Sequence, residues 1–156
     1  MRITFAPRGI LQIDDATVIF KNFEGRGSMY NREGDRNFAI IIETEEMANA
    51  LIEEGWNVKI KPPREEGENP FMYLVVKIKF NDRGPNIHLK SGRATRRLNE
   101  STIGMLDRID ILAADLDIRP YDWETAGKTG RTAYLQTIRV TQRINDRFAE
   151  EEYPEE

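Results

Sequence analysis

The stretch FMYLVVKIKF, residues 71–80, alternates between two kinds of side chain. Successive residues of a strand point to opposite sides. Met72, Leu74, Val76, Ile78 and Phe80 therefore share one uninterrupted apolar face, and Phe71, Tyr73, Val75, Lys77 and Lys79 share the other. A period of two with one apolar face describes a strand that covers a core on one side only. The second face is aromatic at one end and cationic at the other.

Working outward, the preceding segments fall into the same class. Trp56–Lys61 reads as a strand stopped by Pro62-Pro63, and Pro62–Pro70 (PPREEGENP) as a polar loop. Thr44–Glu54 is the one clear helix: Thr44 can cap it, Glu45 and Glu46 suit the positive end of its dipole, and Gly55 stops it. Arg36–Glu43 (RNFAIIIE) and Ala16–Phe23 (ATVIFKNF) are two further strands around a glycine-bearing loop, Glu24–Asp35. Downstream, Asn81–Pro85 turns into a short strand at Asn86–Lys90. Ser91–Asn99 is basic and irregular, and Glu100–Leu106 suits a helical turn. The C-terminal part reads as a hairpin, Ile109–Trp123 and Arg131–Ile144, joined by Glu124–Gly130. Roughly seven strands and one helix define a mainly β, α+β domain built as an antiparallel barrel with extra hairpin strands. There is no internal repeat and no second domain.

The split of faces recurs. Trp56, Val58 and Ile60 oppose Asn57, Lys59 and Lys61; Tyr134, Ile138 and Val140 oppose Thr137, Arg139 and Arg143; Val18 and Phe20 oppose Lys21 and Phe23. Acids are missing from these outer faces, with Asp115 and Asp117 as the exception. Lysine and arginine stems cover apolar surface on many ordinary sheets. The alternative is a groove in which cations meet phosphates and aromatic rings meet bases, a form of recognition indifferent to sequence. Two loops favour it. Gly25–Arg36 places Arg26, Arg32 and Arg36 around Tyr30, and Lys90–Arg97 (KSGRATRR) holds Arg93, Arg96 and Arg97 with no acid. Lys59, Lys61, Tyr73, Lys77 and Lys79 complete the candidate surface on the strands.

Charge is unevenly placed along the chain. The total is −4, and Glu150, Glu151, Glu152, Glu155 and Glu156 carry −5 of it, so residues 1–149 stand at +1. Residues 1–145 thus read as one domain and residues 146–156 as an acidic, disordered tail that also holds Phe148 and Tyr153. Such a tail either aids solubility or competes for a cationic groove and docks on partners. The chain has no cysteine, which excludes disulfides and thiolate metal sites and fits a reducing cytoplasm. Neither a signal peptide nor an apolar run near 18 residues is visible, so a cytoplasmic protein without a membrane partner is expected.

Enzyme readings are weaker. Gly127-Lys128-Thr129 lacks the glycine five residues earlier, where Asp122 stands, and the following helix of a phosphate loop. Lys128 is better read as a hairpin-loop cation. His88 is the only histidine, so common zinc sites cannot be built and no metal or cofactor is expected; a sheet edge suits it. The serious competitor is a magnesium-dependent nuclease with Asp115 and Asp117 on one side of a strand and Asp110, Asp122 or Glu124 nearby. Pairing of Asp115 and Asp117 with Arg139 or Arg143 across the hairpin is the plainer account. A protein-interaction or assembly module without nucleic acid is a third reading.

Two stretches, Phe20–Ile42 (IFKNFEGRGSMYNREGDRNFAIII) and Ile118–Leu135 (IRPYDWETAGKTGRTAYL), resemble a group of tailed-phage single-stranded-DNA-binding proteins of the OB-fold type. The resemblance covers most of residues 16–145 in order of elements. It implies an OB-like barrel, a role in phage DNA replication or recombination in the bacterial host cytoplasm, no catalysis, and a tail that meets replication proteins. It carries over Arg26, Tyr30, Arg32, Trp123, Lys128 and Arg131 at the two matched loops. On this reading Arg26, Arg32, Lys77, Lys79, Arg93 and Arg131 neutralise phosphates, while Tyr30, Tyr73 and Trp123 stack on bases. The chain departs from bacterial single-strand binders at its end, where Tyr153-Pro154-Glu155-Glu156 replaces a terminal phenylalanine. The sequence leaves open the choice between DNA and RNA and whether a homo-oligomer forms.

Overall fold

The computed structural model describes residues 1–144. Among them the strands are β1 (Arg2–Phe5), β2 (Leu11–Ala16), β3 (Val18–Asn22), β4 (Arg36–Ile41), β5 (Val58–Lys61), β6 (Phe71–Ile78), β7 (Asn86–Ser91), β8 (Ala94–Leu98), β9 (Ile111–Thr125) and β10 (Lys128–Gln142). One α-helix, α1 (Glu45–Glu53), lies between β4 and β5, and a 3-10 turn spans Ile103–Asp107. The helix begins as its sequence demands. Thr44 Oγ1 accepts a hydrogen bond from the Met47 amide at 3.1 Å, and Gly55 leaves the helix at φ +95°.

The strand order is β1-β2-β9-β10-β6-β4-β3, with β5 also on β6 and the β7–β8 hairpin on β10. β2, second on the main path, and β3, at its far end, are halves of one strand separated only by Thr17. That strand bends back and brings the sheet round on itself. Two residues make the bend. Asp15 (φ +56°) and Phe20 (φ +51°) both take the left-handed conformation, and each lies where the ladder shifts register. A bulge of this kind adds a residue to one strand, turns it sharply and increases its twist. The expected OB-like, mainly β α+β fold is thus present. Its sheet is mixed, because β10 runs parallel to β6 and to β7. Parallel neighbours require a long crossover, which the chain between β6 and β10 supplies.

Inside the barrel, Met72, Leu74, Val76 and Ile78 of β6 are buried as the alternation requires, against Phe38 and Ile40 of β4. Leu11, Ile13, Leu116, Ile118, Ile138 and Val140 complete the opposite wall, and Ala48 and Leu51 of α1 join the same core with Trp56.

Four expectations change. Strict alternation places Phe20 in the core and Phe23 outside; the bulge inverts them, so Phe20 is 56% exposed and Phe23 is fully buried, stacked on Phe38 at 4.9 Å. Alternation also puts Tyr134 on the core face, but a register shift between Leu135 and Thr137 turns it outward beside Lys77. The segment read as irregular after Ser91 contains β8, which pairs with β7 through residues such as Leu89 and Arg96. His88 therefore lies on an inner strand, between Arg97 and Arg139, and not at an edge.

The inversion is testable by urea denaturation. Phe23→Ala should cost about 3–5 kcal/mol as a buried aromatic truncation, whereas Phe20→Ala should cost about 1 kcal/mol, the scale of its ring contacts.

Candidate nucleic-acid interface

The outer face of β4 and β6 forms the floor of a groove. Across it, Asn37 registers with Lys77, Ala39 with Val75 and Ile41 with Tyr73. One wall is the β3–β4 loop, which is held together by its own polar groups. Asn31 Nδ2 donates to the carbonyls of Arg26 (2.8 Å), Asp35 (3.0 Å) and Arg32 (3.2 Å), while its Oδ1 accepts from Asn37 Nδ2 at 3.0 Å and ties the loop to β4. A Cβ on Gly25 would meet the Gly34 backbone at 3.1 Å, so the loop closes tightly only with glycine there. With its backbone satisfied internally, the loop projects Arg26, Arg32 and Tyr30 outward, the tyrosine 93% exposed. The resulting groove encloses 710 Å³, and Tyr30, Arg32, Arg36, Lys77, Lys79 and Tyr134 are among its lining residues.

Tyr134 extends the surface toward the β9–β10 hairpin. The Arg119 guanidinium lies 5.4 Å from its ring and Tyr121 meets it edge-on at 6.0 Å. Register places Arg119, Tyr121 and Trp123 on the same face as Tyr134, Thr132 and Gly130.

At the other end of β6 the bend in β2–β3 creates an exposed aromatic cluster. Phe20 meets Tyr73 at 5.3 Å and Phe71 at 6.2 Å, both edge-on, and Phe71 lies 5.5 Å from Tyr73. Lys59 registers with Tyr73 and Lys61 with Phe71, and Lys61 Nζ stands 5.9 Å from the Tyr73 ring. Two exposed phenylalanines grouped with the half-buried Tyr73 beside two lysines form an apolar patch of the kind that marks an interaction site. Phe20 is the member that alternation assigns to the wrong side. Phe71 carried a signal in its position on the outer face of β6.

The remaining candidates fall into two groups. Some cations are committed to the protein itself. Arg36 Nη1 donates to the Phe23 carbonyl at 2.9 Å and its guanidinium lies 5.5 Å from the Phe80 ring. Arg131 is paired with Asp122 through Nε (2.7 Å) and Nη2 (3.1 Å). That hydrogen-bonded pair lowers the Asp122 pKa and raises that of Arg131. Lys21, read as part of a cationic face, donates instead to the carbonyls of Leu106 (3.0 Å) and Ile109 (2.6 Å) and closes the 3-10 turn under β3. Other candidates stand away from the groove. Arg93 occupies the β7–β8 turn and Arg97 turns to Asn86 Oδ1. Arg96 instead lines a separate pocket of 510 Å³ with Arg36, Arg108 and Glu24. Lys128 begins β10 at the hairpin tip.

Asp115 accepts a hydrogen bond from the Asp15 amide at 2.9 Å and registers with Arg139; Arg143 pairs with Asp110 at 3.5 Å. Burial, then the charge of Asp14, raises the Asp117 pKa. Asp115 and Asp117 lie toward the opposite end of β9 from Tyr121 and Trp123. Among the described residues no three histidine, cysteine or acidic side chains gather as a metal site, and no helix is long and apolar enough to cross a membrane. The tail candidates Phe148, Glu150, Glu151, Glu152, Tyr153, Glu155 and Glu156 lie outside the described residues.

Over residues 2–155 the sequence matches the family model of the phage ssDNA-binding domain, and the chain belongs to that family. Its fold is that of the single-stranded DNA-binding protein from bacteriophage Enc34, with a TM-score of 0.56 at 12% identity, covering 98% of this chain and 99% of that one. The same Enc34 protein in complex with ssDNA gives a TM-score of 0.56 at 11% identity over 92% of this chain and 91% of that one. No curated protein matches the sequence.

The internal role of Lys21 gives a control. Lys21→Met strands two carbonyls and should lower stability by about 1–3 kcal/mol, with nucleic-acid affinity unchanged once the protein is folded. A loss of affinity without a loss of stability would return Lys21 to the binding surface.

Proposed function

We propose that the chain coats single-stranded DNA, without sequence specificity, during phage DNA replication or recombination in the bacterial host cytoplasm. The strand would lie across the outer face of β4 and β6, between the β3–β4 loop and the β9–β10 hairpin. The observation that carries this reading is the run of exposed and half-exposed rings interleaved with exposed cations. Phe20, Phe71 and Tyr73 stand beside Lys59 and Lys61, and Tyr30 and Tyr134 stand beside Arg32, Lys77 and Lys79. In OB folds the face of the second and third barrel strands and the loops joining strands one to two and four to five take oligonucleotides; on this reading β4 and β6 are those strands, and the β3–β4 loop and the β9–β10 hairpin are those loops. Stacking needs only a π-face and cations need only phosphates, so such a surface reads no sequence.

We read the protein as a binder and not an enzyme. Asp115 and Asp117, the carboxylates a nuclease would use, face Arg139, Asp14 and the Asp15 amide and lie away from the groove. We further propose that residues 1–145 are one binding domain and that the acidic tail, 146–156, competes for the cationic groove and meets replication proteins. Side-by-side assembly into a homo-oligomer along the strand belongs to the same reading.

Fluorescence anisotropy with a labelled 30-nucleotide poly-dT, across a salt series and beside a duplex of equal length, is the test. Tight binding to the single strand, weak binding to duplex and a steep loss with salt are expected. Tyr73→Ala and Trp123→Ala should each cost about 1–3 kcal/mol of binding, the range for one stacked base, in a folded protein. Absence of binding at low salt would make the surface ordinary solvated sheet and favour an assembly module.

A further inference from the structure

The β9–β10 hairpin runs past the barrel, and residues 121–129 are all exposed. A two-stranded ribbon with no sheet beneath it is marginal in water, so its position depends on what ties it down. Its two faces do different things. On the inner face, Arg131 pairs in bidentate fashion with Asp122 across the ribbon, and its Nη1 donates to the Glu54 carbonyl at 2.6 Å. Glu54 is the C-terminal cap of α1, where a cation is favoured by the helix dipole. The same guanidinium lies 5.3 Å from the ring of the buried Trp56. Each of its three nitrogens already donates to the protein, and the side chain is 23% exposed.

On the outer face, Trp123 lies flat on Gly130. A Cβ at Gly130 would come within 2.6 Å of the indole Cε2, so only glycine leaves the ring room to rest against the backbone. Trp123 as a whole remains 39% exposed and shares its face with Tyr121 and Tyr134.

We propose that Arg131 is a positioning residue and not a phosphate contact: by fastening the ribbon to α1, it holds Trp123, seated on Gly130, as a base-stacking platform in line with Tyr134 and the groove. This rests on the single-stranded-DNA reading above. A free cation in the hairpin would act by its charge. A fastened one acts by geometry, and the two make opposite statements about Asp122.

Asp122→Asn and Arg131→Met decide between them, measured by anisotropy on poly-dT across a salt series, with folding checked by circular dichroism. Methionine keeps the stem against Trp56 and loses the ion pair; asparagine removes the partner and leaves the arginine. The positioning role predicts that both weaken binding by about five- to tenfold, the lower part of what one stacked base contributes, with the salt slope unchanged. A phosphate contact predicts that Asp122→Asn binds as well or better, because it frees a cation. It also predicts that Arg131→Met lowers the slope by about 0.7. Either of those results overturns the proposal. If the wild-type protein does not bind poly-dT, the DNA reading itself fails, and that outcome is visible before any variant is made.

Discussion

The architecture depends on one bent strand. β3 ends the sheet's pairing order and β2 stands next to its other end, with only β1 beyond it, yet a single residue, Thr17, separates them. Asp15 and Phe20 make that possible by adopting the left-handed conformation, which costs an L-residue about 1–2 kcal/mol and persists only where the surroundings demand it. The demand comes from both sides: Leu11 and Ile13 are buried before the bend, and Phe23 after it. The bend closes the barrel and, by the same displacement of one residue, puts Phe20 on the outside against Phe71 and Tyr73. Core closure and the exposed aromatic cluster of the proposed surface therefore both follow from the same pair of bulges.

Around that frame the cations divide by what they are bonded to. Lys21, Arg36 and Arg131 donate to main-chain carbonyls and are part of the scaffold. Lys59, Lys61, Lys77 and Lys79 stand on the outer faces of β5 and β6 or just past them, close to exposed rings. Arg32 has an ion pair with Asp35 at 3.3 Å, but both side chains are half or more exposed, and such a pair contributes little. A phosphate can compete for it. The proposed binding surface thus draws on the charges that folding leaves exposed and weakly paired.

Much of this was legible in residues 71–80, whose alternation defines a one-sided strand and whose outer face already holds Tyr73, Lys77 and Lys79. The helix was equally plain from Thr44, Glu45, Glu46 and Gly55. What could not be read was any feature that depends on a change of phase. Alternation carried through Ala16–Phe23 puts Phe20 inside, and only the bulge reverses it; the register shift at Leu135 does the same to Tyr134. Arg131 illustrates a second limit. A basic residue in a glycine-containing loop reads as a ligand contact, because its partners, Asp122 nine residues away and Glu54 far upstream, are brought to it by the hairpin register and the position of α1.

The claim most exposed to test is that nucleic acid meets the face formed by the bend and by β6. Photocrosslinking of a 5-iodouracil-substituted oligonucleotide to the full chain, followed by peptide mass spectrometry, maps that contact directly. The account predicts adducts on Phe20, Phe71 or Tyr73 and on Tyr30 or Tyr134. Adducts confined to the β7–β8 hairpin, around His88 and Arg97, would place the strand on the wrong side of the barrel and contradict it.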